Sequence, residues 1–342
     1  MAHMRFPSPK SRAAALNRPG GRRRWRSSVA GLVVLVTLVM ALTGCGTNAA
    51  SSTDAQGGLE SGSGANSPAG RALHVVAAEN FWGSIASQLG GDHVQVTSVI
   101  SSPDADPHDY EPTPADARLF ADSRYVILNG AGYDSWGQKL LDANPVNSRT
   151  ILTVANLLGK KAGDNPHFWY DPDAVTQVVN QITSDLKRLD PTNAAYYGQR
   201  NSQFATIILK PYHDLISTIR QRYSGTPVSA TESIFVYLAG ALGLNLTTPP
   251  GFMKAISEGQ EPTATEKATF DQQITQKQVK VFVYNKQNAM PDVDALKKKA
   301  ETAGIPVVAI TETPDPGTTS FQTWQEVQLQ ALRQALARAN GH

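Results

Sequence analysis

One cysteine, Cys45, occurs in the 342 residues, so no disulfide can form within the chain. A transmembrane helix needs roughly 20 apolar residues, and the most apolar stretch, residues 29–42, has only 14. Neither HExxH nor GxSxG appears, which removes two common sequence signs of metal-dependent and serine hydrolases. Histidine is sparse as well: there are seven, and none lies between His108 and His167.

The scarce residues sit in informative places. Arg22, Arg23, Arg24 and Arg26 form a basic cluster ahead of the apolar stretch, which runs into "LTGC" ending at Cys45. A small buried hydrophobe is the ordinary role of a lone cysteine, yet this one stands between an apolar run and a polar tract. The segment resembles a bacterial lipoprotein signal. That resemblance implies export, removal of residues 1–45, lipidation of Cys45 and anchoring to the outer face of the cell membrane. Residues 46–70 are rich in Gly, Ser, Ala and Asn, with little to bury, and are expected to form a disordered tether.

The leader also carries the chain's excess positive charge. The sequence holds 31 Lys and Arg against 29 Asp and Glu, and eight of the basic residues, but no acidic one, precede Cys45. Without them 23 basic and 29 acidic residues remain, a net charge of −6. Nucleic-acid binding loses its electrostatic motive, while a mildly acidic body is compatible with cation capture.

From Ala72 onward, short β-branched runs alternate with helical patterns. "LHVVAA", "VQVTSV" and "YVILN" read as strands in the first half; "TPVSAT", "VKVFVYN" and "IPVVAIT" repeat the theme in the second. Such alternation predicts an α/β fold: two lobes, each with a mostly parallel sheet flanked by helices. Thr113–Pro114 with Asp116, Asp171–Pro172 and Asp190–Pro191 each place a capping oxygen before a proline at a helix start. The helical tract after Pro191 reads as one long connection between lobes, kinked or broken by Pro211. The expected divisions are 71–190, 191–223 and 224–342. A final helix near residues 319–339 is expected to bury Phe321, Trp324, Val327, Leu329, Leu332 and Leu336.

Two histidines stand apart from the other five. His108 in "DADPHDYEPTP" and His167 in "DNPHFWYDP" lie in proline-stiffened loops, where α/β sheets gather ligand-binding side chains. Imidazole suits divalent transition metals and needs oxygen or sulfur donors beside it. With Cys45 committed to the membrane, carboxylates at other strand ends become the candidates. Glu232 follows the strand beginning at Pro227, and Glu312 follows the one beginning at Pro306, with Asp315 a competitor in the same loop. Taken singly, Glu232 also fits a helix-terminal charge and Glu312 an ordinary loop charge. Phe168, Trp169 and Tyr110 are expected to pack the ligand loops in place.

"DADPHDYEPTPAD", "NPHFWYDP", "ESIFVYLAGALGL" and "IPVVAITET" together resemble the cluster A-I metal-binding proteins of ABC transporters, over about residues 73–339. The resemblance implies a metal site of His108, His167, Glu232 and Glu312 in the cleft between two lobes joined by one long helix. Glu312 stands where an Asp is commoner. It further implies a transported Mn²⁺ or Zn²⁺, an ABC permease with its ATPase as partner, a monomer and no catalysis. Glu232 in place of a third histidine adds oxygen character, which leans toward Mn²⁺, whereas four donors in a tetrahedron suit Zn²⁺. A metal-dependent hydrolase is the alternative from another class; it needs an open coordination position that a closed four-ligand site lacks. An adhesin-type lipoprotein is a third reading, which no residue supports separately.

Overall fold

The computed structural model describes residues 72–102, 110–287, 290–314 and 320–341. All belong to one compact unit, Ala65–His342. The leader with Cys45, the stretch 46–70, His108 and Asp315 lie outside the described residues.

Two four-stranded parallel sheets form the frame. The first comprises β1 (Leu73–Glu79), β2 (Val94–Ile100), β3 (Tyr125–Leu128) and β4 (Thr150–Thr153) in the order β2-β1-β3-β4. The second comprises β5 (Pro227–Ala230), β6 (Asn245–Leu246), β7 (Val281–Asn285) and β8 (Val307–Ile310) in the order β6-β5-β7-β8. Each sheet therefore reverses its winding direction between its first and third strands, and a parallel α/β sheet opens its ligand crevice at such a point. Val75, Val76, Ala77 and Ala78 are all fully buried, because helices cover both faces of a parallel sheet and alternation disappears.

Helices fill the connections: α1 (Asn80–Gly90), α2 (Pro114–Asp122), α3 (Ser135–Ala143), α4 (Val154–Leu157) and α5 (Pro172–Leu189) in the first half. At α5 the cap expected from sequence is present. Asp171 accepts from the Asp173 and Ala174 amides, Pro172 occupies the first turn, and Val175, Val178, Val179, Ile182 and Leu186 form the buried stripe. At α2, Thr113 and Asp116 form a reciprocal capping box. Asp190–Pro191 differs: Pro191–Asn193 is a 3₁₀ turn, and the Asp190 carboxylate accepts from Asn193 Nδ2 and the Tyr197 hydroxyl, both at 2.7 Å.

The link between the sheets is helical throughout, but not uniformly α. α6 (Ala194–Gln203) passes through a π-helical turn, Phe204–Ile208, into α7 (Lys210–Tyr223). The Leu209 amide reaches back to Phe204 O at 2.8 Å. The wide turn falls just before Pro211, whose ring would clash with an upstream carbonyl in a regular helix.

The second half carries α8 (Val236–Ala241), α9 (Pro250–Ser257), α10 (Ala264–Thr275), α11 (Pro291–Thr302) and α12 (Phe321–Ala339). Along α12, Phe321, Trp324, Leu329, Leu332 and Leu336 are buried, whereas Val327 is 61% exposed. Val327 falls off the stripe, and Gln325 and Gln328 occupy the buried face that apolar counting misses. Phe321 and Trp324 pack back onto the first half, with the Trp324 ring 6.5 Å from Phe81. One continuous core thus runs through both halves. Among the described residues, no helix is long and apolar enough to cross a membrane.

Candidate metal centre

The residues past the C-terminal ends of the middle strands face the crevice. Asn129 follows β3 and Asn285 ends β7, so the two asparagines occupy corresponding places in the two sheets. Both are buried, and each spends its amide on a loop that carries a candidate ligand.

Asn129 accepts from Trp82 Nε1 at 3.1 Å and donates to Pro166 O at 2.9 Å, which fixes the peptide immediately before His167. The Asn165 side chain then takes the His167 amide at 3.2 Å and lies 2.6 Å from its Nδ1. The imidazole is 1% exposed. It stands edge-on to Trp169, centroids 5.2 Å apart, and Trp169 in turn stacks on Phe81 at 4.2 Å. The "HFWY" run is therefore a wall: Phe168, Trp169 and Tyr170 are buried and hold the histidine at the crevice. Fixed orientation of an imidazole by its other nitrogen is the usual preparation for metal ligation.

On the other sheet, Asn285 Nδ2 donates to Glu232 Oε2 at 3.1 Å and to Glu312 Oε1 at 2.8 Å. Two carboxylates 80 positions apart in the chain thereby meet on one amide. Glu232 precedes the 3₁₀ turn Ser233–Phe235 but makes no side-chain cap there, so its charge is not spent on a helix terminus. Gln287 Oε1 accepts from the Glu312 and Thr313 amides at 2.5 and 3.1 Å, pinning the backbone that carries Glu312. Tyr133, from the first half, donates its hydroxyl to Glu312 Oε2 at 2.8 Å, while its ring lies 6.2 Å from His167. Tyr133 is thus the bridge between the imidazole side and the carboxylate side.

The wall behind the cleft is also tied across the halves. The Tyr170 hydroxyl lies 2.8 Å from Thr311 O and 2.9 Å from Gln328 Oε1, the latter accepting from Thr311 N at 2.8 Å. Trp324 Nε1 donates to Thr311 Oγ1 at 2.8 Å. The loops of His167 and Glu312 are consequently held by the same buried cluster. A cavity of about 300 Å³ opens beside His167, lined by Ala131, Asn165 and His167 on one side and Ser233, Lys254 and Glu258 on the other.

Sequence reasoning missed the flanking pair Glu79 and Asp134. Glu79 ends β1 and is fully buried. Burial, reinforced by the neighbouring Asp134, pushes its carboxyl well above the ordinary range. Asp134 accepts from the Asn129 and Gly130 amides at 2.6 and 2.8 Å. Burial raises the Asp134 carboxyl too, against the pull of those amides. Among the remaining histidines, His93 and His213 have structural roles against Tyr196 and Tyr212, with ring centroids 4.6 and 5.2 Å apart.

Of the four sequence candidates, three are described. Glu232 and Glu312 converge on Asn285, and His167 approaches them by way of Tyr133; His108 lies outside the described residues. Among the described residues, no group of three or more His, Cys, Asp or Glu is assembled closely enough to hold a metal ion. The donor types, one oriented imidazole and two paired carboxylates, still suit a divalent transition metal better than they suit an organic solute.

Two parallel α/β lobes joined by a helical link, with the candidate donors gathered past their strand ends, are the frame on which the comparisons bear. The model of the family described as ZnuA, zinc-uptake complex component A, periplasmic, matches residues 75–335, and the chain belongs to that family. It is a family of binding proteins rather than enzymes. The manganese-binding lipoprotein MntA of Halalkalibacterium halodurans is 26% identical over 182 residues, which cover 52% of this chain and 60% of that relative. The manganese ABC transporter substrate-binding lipoprotein PsaA of Streptococcus mitis is 24% identical over 263 residues, 70% of this chain and 80% of the relative. Among solved structures, the Mn-bound periplasmic metal binding protein from Candidatus Liberibacter asiaticus shares the fold. Its TM-score is 0.65 at 18% identity, with 78% of this chain and 100% of that chain covered.

Proposed function

We propose that this protein is an exported receptor that captures Mn²⁺ or Zn²⁺ between its lobes and delivers it to an ABC permease driven by its ATPase. His108, His167, Glu232 and Glu312 are the proposed ligands. Cys45 is the proposed lipid anchor on the outer face of the membrane, residues 46–70 the tether, 71–190 and 224–342 the lobes, and 191–223 their connection. The protein acts as a monomer. The observation that carries the reading is the pairing of Glu232 and Glu312 on the Asn285 amide. Two carboxylates brought together at a strand crossover repel each other, and a divalent cation relieves that repulsion.

The test is thermal melting of chelator-stripped protein with and without added Zn²⁺ or Mn²⁺. A ligand that binds only the folded state at about 100 times its Kd adds about 2.7 kcal/mol of stability, so melting should rise clearly. The paired changes His108→Ala and His167→Ala should abolish the rise, and so should acid that protonates the imidazoles. A metal-induced rise that survives both substitutions would move the site elsewhere.

A further inference from the structure

Asn165 does more than steady the imidazole, because its side chain has two ends and the second crosses to the other lobe. Oδ1 accepts from the His167 amide at 3.2 Å and lies 2.6 Å from His167 Nδ1. Nδ2 donates to Ser233 O at 2.8 Å, on the residue directly after Glu232. The Asn165 backbone is held from the same side, where the Tyr237 hydroxyl donates to its carbonyl at 2.9 Å. Ser233 is in turn tied to α9: its amide donates to Ser257 Oγ at 3.0 Å, and the two hydroxyls lie 2.8 Å apart. Ser233 Oγ, 3.5 Å from His167 Nδ1, is the remoter neighbour of the ring. Asn165, Ser233 and Ser257 all line the cavity of about 300 Å³, so hydrogen bonds rather than close packing set the orientation of the amide.

A primary amide can face an imidazole with its oxygen or with its nitrogen, and the choice fixes the tautomer. With Oδ1 toward Nδ1, the proton sits on Nδ1 and the lone pair on Nε2. Turned over, the amide would set Oδ1 against the Ser233 carbonyl and its hydrogens against the His167 N–H. It would then donate to Nδ1 and drive the proton to Nε2, where it must leave before a metal can bind. An imidazole left to itself favours that second tautomer. Resting on the receptor reading above, we infer that Asn165 is a positioning residue that makes the ligand-ready tautomer of His167 depend on the docked Ser233 turn of the opposite lobe. While that turn is in place, Ser233 O holds the amide in the orientation that leaves Nε2 its lone pair. When the turn withdraws, only the longer contact with the His167 amide holds it, and the tautomer relaxes. Lobe apposition and readiness for a cation are thereby linked through one side chain.

The experiment reads the tautomer directly, from the ¹⁵N chemical shifts of the His167 ring in metal-free protein at about pH 8, above the ordinary imidazole range. His167→Gln assigns the signals. Wild type should carry the proton on Nδ1. Asn165→Ala should move it to Nε2 and weaken Zn²⁺ binding by about 10- to 100-fold. Asn165→Asp should keep the proton on Nδ1, since a carboxylate accepts from both N–H groups, although it loses the bond to Ser233. The decisive protein combines Ser257→Ala with Tyr237→Phe, which frees the Ser233 turn and leaves Asn165 and His167 intact. Its ratio of Nε2–H to Nδ1–H should rise about tenfold, the weight of one hydrogen bond. Should the pair not fold, Ser257→Ala alone carries the test, with a smaller shift in the same direction. A tautomer unchanged in the folded variant overturns the inference, and so does a wild type with its proton on Nε2. A wild type with the proton on Nδ1 that binds neither Zn²⁺ nor Mn²⁺ would instead overturn the receptor reading.

Discussion

Asp116→Ala is expected to weaken the fold and the metal response together, because one carboxylate serves both. Asp116 is 8% exposed and one oxygen, Oδ2, accepts from the Thr113 amide and hydroxyl, each at 2.7 Å, and from the Tyr110 hydroxyl at 3.0 Å. The first two belong to the capping box of α2, and loss of a cap costs about 1 kcal/mol. The third is a hydrogen bond to a charged group, worth about 1.5–3 kcal/mol. The Tyr110 phenol, raised above its ordinary value by burial and then by Asp116, keeps the proton it donates. Because all three bonds converge on one oxygen they do not add fully, and a loss of about 2–3 kcal/mol follows. In a fold of this size that lowers Tm by roughly 5–10 °C. Tyr110 lies two residues after His108 and packs on Trp136 at 4.9 Å, so its release loosens the segment that presents the proposed ligand. Thr113→Ala is the control: it removes the hydroxyl, about 1 kcal/mol, and keeps the Tyr110 contact. Melting of both variants, apo and with Zn²⁺, decides the matter. The reasoning fails if Asp116→Ala melts no lower than Thr113→Ala, or if both variants keep the full metal-induced rise.

Glu79→Gln should raise Tm at about pH 7 to 8 and leave it unchanged near pH 4. The raised pKa of Glu79 means that its contribution is complete below the unfolded value near 4.5 and fades as pH climbs through the folded value; a permanently neutral amide escapes that loss. Equal melting of the two proteins at about pH 8 would contradict the upward shift of the Glu79 carboxyl. Gly90→Ala should destabilise by about 1–3 kcal/mol although alanine is the better helix former, since its Cβ would run into both Val94 methyl groups and lie 2.8 Å from Val94 Cβ. Adding Val94→Ala should recover part of the loss, and a melting curve of the double variant no better than the single one would point to another cause.

Most of the frame was legible because its signals are local. Proline after a capping Asp or Thr marked α2 and α5, and β-branched runs marked six of the eight strands. The two missed strands, β4 and β6, pair with β3 and β5; at two residues β6 is too short for any period to show, whereas β4 matches β3, β5 and β8 in length and went unread without a longer β-branched run around it. Val327 was misplaced for a related reason. Apolar character suggests burial only where the stripe passes, and on α12 two glutamines take the inward positions instead. The π-helical turn ahead of Pro211 was legible as a break, but not as a widening, because either relieves the same clash.

The site divides along the same line. Position marked Glu232 and Glu312 as candidates past the ends of strands, with Asp315 a competitor, and the family resemblance selected them; in the fold both converge on the Asn285 amide. What binds them together was not found, since Asn285 lies 53 residues from one and 27 from the other, and an asparagine at a strand end reads as a turn former. Yet a sign was present: "YVILN" and "VFVYN" are buried strands of equivalent rank, each closing on Asn. A turn former at a surface would need no such repetition. In the fold Asn129 holds the peptide before His167 and Asn285 holds the paired carboxylates, so the two lobes solve one problem with one residue type. A short amide is suited to it: a neutral donor offsets carboxylate repulsion while adding no charge that would repel an incoming cation, as a lysine or arginine at the same place would.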